Sequence, residues 1–140
     1  MEKSYKPLYP SLAEACREWT SEVLDAGGIV IKGLFVFDES YSGFAGHFPG
    51  RPILPAVMQL GIVRFLCERG LGMCLEPQSY SRTKFRGMIT PGQQVEVEVI
   101  LGKEEKTGWH GKFSLESKDE VIASGQCGFV KADEMKDGHG

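Results

Sequence analysis

The sequence predicts an α+β domain in which a curved antiparallel sheet wraps one long buried helix. Two observations carry this. Residues 55–69, "PAVMQLGIVRFLCER", are apolar on nearly every side at helical spacing, as in a helix enclosed by other structure. After them come four strand-like segments with no helix between, at 79–89, 93–105, 109–117 and 120–130.

The elements follow in order. Residues 11–26, "SLAEACREWTSEVLDA", read as a helix, with Ser11 as N-cap, Glu14 three residues on and Gly27-Gly28 as the stop. "IVIKGLFVF" at 29–37 is β-branched and aromatic, as a strand should be. A loop rich in Gly, Ser and Pro then runs to the central helix, for which Pro55 supplies a favoured first position and Gly70 a C-terminal cap. In the strand at 93–105, "VEVEVIL" alternates strictly, giving one core face and one wet face. The tail 132–140 is polar and reads as frayed.

A chain of 140 residues, 41% of them hydrophobic, supports a single domain with one core. The net charge of −3 with 25% charged residues argues against a nucleic-acid face and against electrostatic attraction to membranes. No apolar run approaches the ~20 residues that span a bilayer. The opening "MEKSYKPLYPSLAEACREW" lacks the apolar core of a secretory signal. The four cysteines form no CxxC pair and no zinc spacing with histidine, so the sequence suggests a reduced, cytoplasmic protein without a metal. Cys67, inside the apolar helix, reads as a small buried hydrophobe.

Two stretches carry a likeness. "GHFPGRPILPAVMQL" resembles the signature G-H-F-P-G-x-P-hydrophobic-M-P-G-V of the hotdog-fold 3-hydroxyacyl-acyl-carrier-protein dehydratases, and "TKFRGMITPGQQVEVEV" resembles a later segment of the same family. Both occur in the family's order, so the resemblance covers roughly residues 28–131. Within the superfamily the chain looks most like the divergent dehydratases of aryl-polyene gene clusters. The resemblance implies a hotdog fold, sheets joined edge to edge in a dimer with sites between subunits, and an acyl substrate on the phosphopantetheine arm of an acyl carrier protein. It implies no other cofactor.

It also implies roles. His47 matches the catalytic base, which removes a proton from C2 of the thioester; an imidazole has a suitable pKa unperturbed. Ala56 matches the glycine whose backbone N–H, with that of Val57, holds the thioester oxygen at a helix start. The alternative for Ala56 is an ordinary first-turn residue. Phe48, Pro49, Gly50 and Pro55 shape the approach of the histidine to the helix, and Phe65 and Phe85 line the acyl tunnel. Gly61 departs from the pattern. It stands fourteen residues after His47, where the family places the Glu or Asp that handles the leaving hydroxyl, and glycine can do neither job.

Three residues are candidate substitutes for that acid. Gln59 lies about 200° around the helix from Gly61, and Glu68 shares its face but is ~10 Å further along. Arg64, one turn after Gly61, calls for a carboxylate, a phosphate or an exit to solvent. Asp38 and Glu39 read as solvated turn residues, and His110 and His139 receive no role.

Three functions are therefore open. The first is a dehydratase-like lyase of fatty-acid, polyketide or aryl-polyene synthesis. The second is a weak or inactive hotdog subunit that binds the carrier substrate or pairs with an active homologue. The third is an acyl thioesterase.

Overall fold

The computed structural model describes residues 10–38, 54–104 and 108–132. His47, Phe48, Pro49, Gly50, Glu39 and His139 lie outside the described residues, as does the tail beyond Ala132.

The elements run α1 (Pro10–Ala15), β1 (Cys16–Val23), β2 (Ile29–Val36), α2 (Ala56–Leu71), β3 (Leu75–Phe85), β4 (Gln94–Glu104), β5 (Gly108–Ser117) and β6 (Glu120–Lys131). The six strands form one sheet in the order β1-β2-β4-β5-β6-β3, with every neighbouring pair antiparallel. This is the expected α+β hotdog architecture.

Helix α2 touches β2 and β4 and also the two sheet edges, β1 and β3. A flat sheet of this many strands is about 24 Å wide at ~4.8 Å per strand. A helix about 10–12 Å across reaches both edges only if the sheet curls around it.

The alternation of β4 is as the sequence predicts. Val95, Val97, Val99 and Leu101 are buried, and Glu96, Glu98 and Ile100 face outward. On α2, Ile62, Val63, Phe65, Leu66 and Cys67 enter the core against Ile31, Phe35 and Phe129. Phe65 meets Phe35 edge-on at 6.1 Å.

The expected helix over 11–26 is corrected. It is only α1, and Cys16–Val23 is instead an edge strand paired with β2. Leu12 and Ala15 are buried, but every residue of β1 after Cys16 is exposed, so no helical stripe meets the core. Gly27 is the turn of a hairpin rather than a helix stop. It sits at φ +96°, its N–H donates to Leu24 O at 2.9 Å, and Leu24 N–H donates to Gly28 O at 2.7 Å.

The cap of α2 also moves. Pro55 is the N-cap, and Gly72, at φ +69°, closes the helix by donating its N–H to Glu68 O. Gly70 serves packing instead, because a Cβ there would lie 2.5 Å from the Ile31 side chain. Strand β3 starts and ends four residues earlier than the sequence suggests, at 75 and 85 rather than 79 and 89. Its Pro77 is tolerated because the strand is an edge.

Candidate active site

The start of α2 is built to leave donors unclaimed. Pro55 makes no side-chain cap, and its carbonyl accepts from Met58 N–H at 3.0 Å and Gln59 N–H at 3.2 Å. Among the described residues no acceptor meets the N–H of Ala56 or Val57. Both residues are exposed, Val57 by 70%. A helix start with open N–H groups and positive dipole suits a developing oxyanion. Leu54 fixes this end by donating its N–H to Ile89 O at 3.0 Å, which brings the start of α2 beside the segment that follows Phe85. Val57, Phe85 and Met88 are exposed large apolar side chains of this region.

Among the described residues Gly61 opens onto space, since a Cβ built there meets no atom beyond its own helix turn within 4 Å. Neither Arg64 nor Phe65 fills the position of the missing acid. Phe65 belongs to the core, with Arg69 Cζ 4.8 Å from its ring centre.

Arg64 finds a carboxylate and a carbonyl. Its Nε donates to Leu75 O at 3.1 Å and lies 3.6 Å from Glu68 Oε2. Glu68, only 4% exposed, accepts the Leu75 N–H at 2.8 Å. Two side chains of α2 thus take both backbone groups of the first residue of β3. Burial pushes the Glu68 carboxyl above its ordinary range, against the Leu75 N–H and the Arg64 guanidinium, which pull it down. The sequence does not reveal this bracket, because its partner lies across the chain reversal at Gly72. Gln59 is 3% exposed on another side of α2, and its Oε1 has no partner among the described residues.

The remaining candidates stay apart. Asp38 is exposed just after β2. His110 is on β5, an interior strand, where its Nδ1 pairs with Glu104 Oε1. A groove of about 420 Å³ on the sheet face away from α2 is lined by Glu18, Glu96, Glu98 and Glu116 around Lys32. That carboxylate set would repel a phosphodiester, so the groove is not an acyl-carrier site. By contrast, Arg82, Lys84 and Arg86 are all exposed at the end of β3 beside Phe85.

A curved antiparallel sheet wrapped around one helix defines a hotdog-fold protein. The chain belongs to the ApeI-like family, described as ApeI dehydratase, which matches residues 28–126. It is similar to a 3-hydroxyacyl-[acyl-carrier-protein] dehydratase FabZ of Legionella pneumophila, at 29% identity over 87 residues, covering 54% of this chain and 58% of the relative. The chain therefore spans less than two thirds of that relative's length.

Among solved structures it resembles the dehydratase heterocomplex ApeI:P from Xenorhabdus doucetiae, with TM-score 0.59 and 22% identity over 80% of this chain and 95% of the other. It also resembles a point mutant of the fluoroacetyl-CoA-specific thioesterase FlK, with TM-score 0.65 and 16% identity over 79% and 90%. At these identities the two structures speak for the fold.

Proposed function

We propose that the protein dehydrates a 3-hydroxyacyl chain carried on the phosphopantetheine of an acyl carrier protein, in fatty-acid, polyketide or aryl-polyene synthesis. The observation that carries the reading is the pair of N–H groups at Ala56 and Val57 that no acceptor among the described residues claims, in a chain of the dehydratase family. In this reading His47 takes the C2 proton, and the thioester oxygen gains enolate charge against the Ala56 and Val57 N–H groups. The electrons then return, the C3–O bond breaks, and the hydroxide leaves as water with a proton from the imidazolium. The product is a 2-enoyl thioester. In this reading Phe48, Pro49, Gly50 and Pro55 serve to aim the histidine, and water or a residue of a partner chain steadies the leaving hydroxyl in place of the family's acid at Gly61.

Arg82, Lys84 and Arg86 offer the positive charge that a phosphodiester arm requires. The exposed Val57, Phe85 and Met88 beside the β3 edge support a dimer joined through β3, which also removes unpaired edge groups.

The test is turnover of a 3-hydroxyacyl-carrier substrate by the purified protein. The expected result is water loss that His47→Ala abolishes without changing fold or mass. Activity untouched by His47→Ala overturns the reading. A second reading, a subunit that supports an active hotdog partner, is favoured by the loss of the acid at Gly61. Activity found only in a mixture with such a partner, and insensitive to His47→Ala, would establish it.

A further inference from the structure

Strand β1 is an amphipathic strand whose apolar face the described residues cover only in part. Trp19 and Val23 share the face that Ser21 separates, opposite Gly33, Ile31 and Ile29 of β2, while Glu18, Thr20 and Glu22 take the other face. Trp19 is 38% and Val23 74% exposed. One side of the strand is paired with β2 along its length, and the other is the end of the sheet. No proline, bulge or inward charge blocks the stretch from Trp19 to Val23, the devices by which edges normally avoid pairing.

We infer that this edge pairs with the same edge of a second copy, antiparallel about Ser21. That register sets Trp19 of each copy opposite Val23 of the other, an aromatic against a β-branched side chain, twice. Thr20 comes opposite Glu22 on the outer face. Just beyond the ladder Arg17 comes opposite Asp25, again twice and with opposite charge.

The neighbouring registers are worse. Centred on Thr20, Glu18 faces Glu22 at both ends, and like charges directly opposite repel. Centred on Trp19, the two tryptophans meet but Val23 stays beyond the overlap. The pairing lies at the sheet edge opposite β3 and does not depend on the reading of the function. Two such two-fold contacts on opposite edges add dimers in a row.

The experiment combines a cross-link with mass. Directly opposite residues in an antiparallel pair stand about 4.5–5.5 Å apart at Cα, within the ~4.4–6.8 Å a disulfide spans. Ser21→Cys should therefore form a covalent dimer on mild oxidation. Thr20→Cys should not, because its two copies are offset by two positions, at about 7–8 Å. Val23→Lys, at the more exposed of the two apolar positions on this face, should lower the mass seen by light scattering at high protein concentration at least twofold and leave the circular dichroism unchanged. Cross-linking of Ser21→Cys no greater than that of Thr20→Cys or the unsubstituted chain overturns the inference, and so does an unchanged mass for Val23→Lys. A Ser21→Cys chain that bridges only to a different co-purifying protein also overturns self-pairing.

Discussion

Glu68 holds Leu75: the carboxylate Oε2 accepts the Leu75 N–H at 2.8 Å while Arg64 Nε donates to the Leu75 carbonyl at 3.1 Å. A residue at a sheet edge ordinarily has one backbone side without a partner. Here a helix supplies the missing neighbour, and the three-residue reversal after Leu71 is pinned at both ends.

Removing the acceptor leaves the Leu75 N–H and the Arg64 guanidinium without it in a largely buried place. Glu68→Ala is expected to cost about 3 kcal/mol, the lower range for breaking a buried pair from one side. Arg64→Met, which keeps the stem, is expected to cost less, about 1 kcal/mol. Urea unfolding measures both; equal costs would mean that the two contacts carry equal weight.

The raised Glu68 carboxyl sets the sign of a pH effect. Its folded pKa lies above its unfolded value, which for an acid means that the fold favours the neutral form. The stability it contributes is fully present below the unfolded value near 4.5 and declines as pH rises through the folded value. Glu68→Gln keeps an acceptor for Leu75 and cannot ionise. The difference in stability between Glu68→Gln and wild type should therefore shift in favour of the variant as pH is raised from 4.5 toward neutrality. Parallel stability curves would contradict this.

Two glycines of the same helix should respond in opposite directions to alanine. Gly61→Ala meets no atom of the described residues beyond its own helix turn within 4 Å and gains helix propensity, so it should stabilise by roughly 0.5–1 kcal/mol. Gly70→Ala drives a methyl to 2.5 Å from Ile31, and should destabilise by about 1–3 kcal/mol through overpacking. Thermal melts of the two variants decide the matter. The same space makes Gly61→Glu a fair trial of the missing acid, since the first side-chain carbon meets no described neighbour within 4 Å.

What could be read from the sequence was what local pattern determines. The alternation of Val95, Val97 and Val99 fixes which face of β4 is inward, and the apolar run from Ile62 to Cys67 fixes α2 as a core element. The N-terminal hairpin was illegible. Leu12, Cys16, Trp19 and Val23 fall at helical spacing, and only pairing with β2, a partner supplied by the fold, selects a strand. At the site, the helix start and the gap at Gly61 were visible because they are motif positions. The Glu68 bracket was not, because its partners are backbone atoms of Leu75, and no side-chain pattern records a backbone partner.

Charge on β3 should act on carrier recognition alone. Reversing Arg82, Lys84 and Arg86 to Glu should raise KM for a carrier-bound substrate at least tenfold and leave turnover of a simple pantetheine thioester within twofold. Raising ionic strength should weaken carrier binding by the unsubstituted chain in the same direction. An equal loss on both substrates would move these cations from carrier recognition to the fold.

The oxyanion role of the Ala56 backbone can be isolated from the side chain. Ala56 is the first helical residue, where proline is favoured because its missing N–H has no intrahelical acceptor to lose. Pro55, at φ −67° and ψ 159°, already has the extended conformation that a residue before proline requires. Ala56→Pro therefore preserves the helix and deletes one donor from the site. If that N–H carries oxyanion charge, kcat on the 3-hydroxyacyl-carrier substrate should fall by about 10²–10³. Thermal stability should meanwhile stay within about 0.5 kcal/mol of wild type. Ala56→Gly controls for the methyl group, since it keeps the N–H and should keep the rate. A folded Ala56→Pro variant with undiminished kcat would leave the oxyanion to Val57 alone or to residues outside α2.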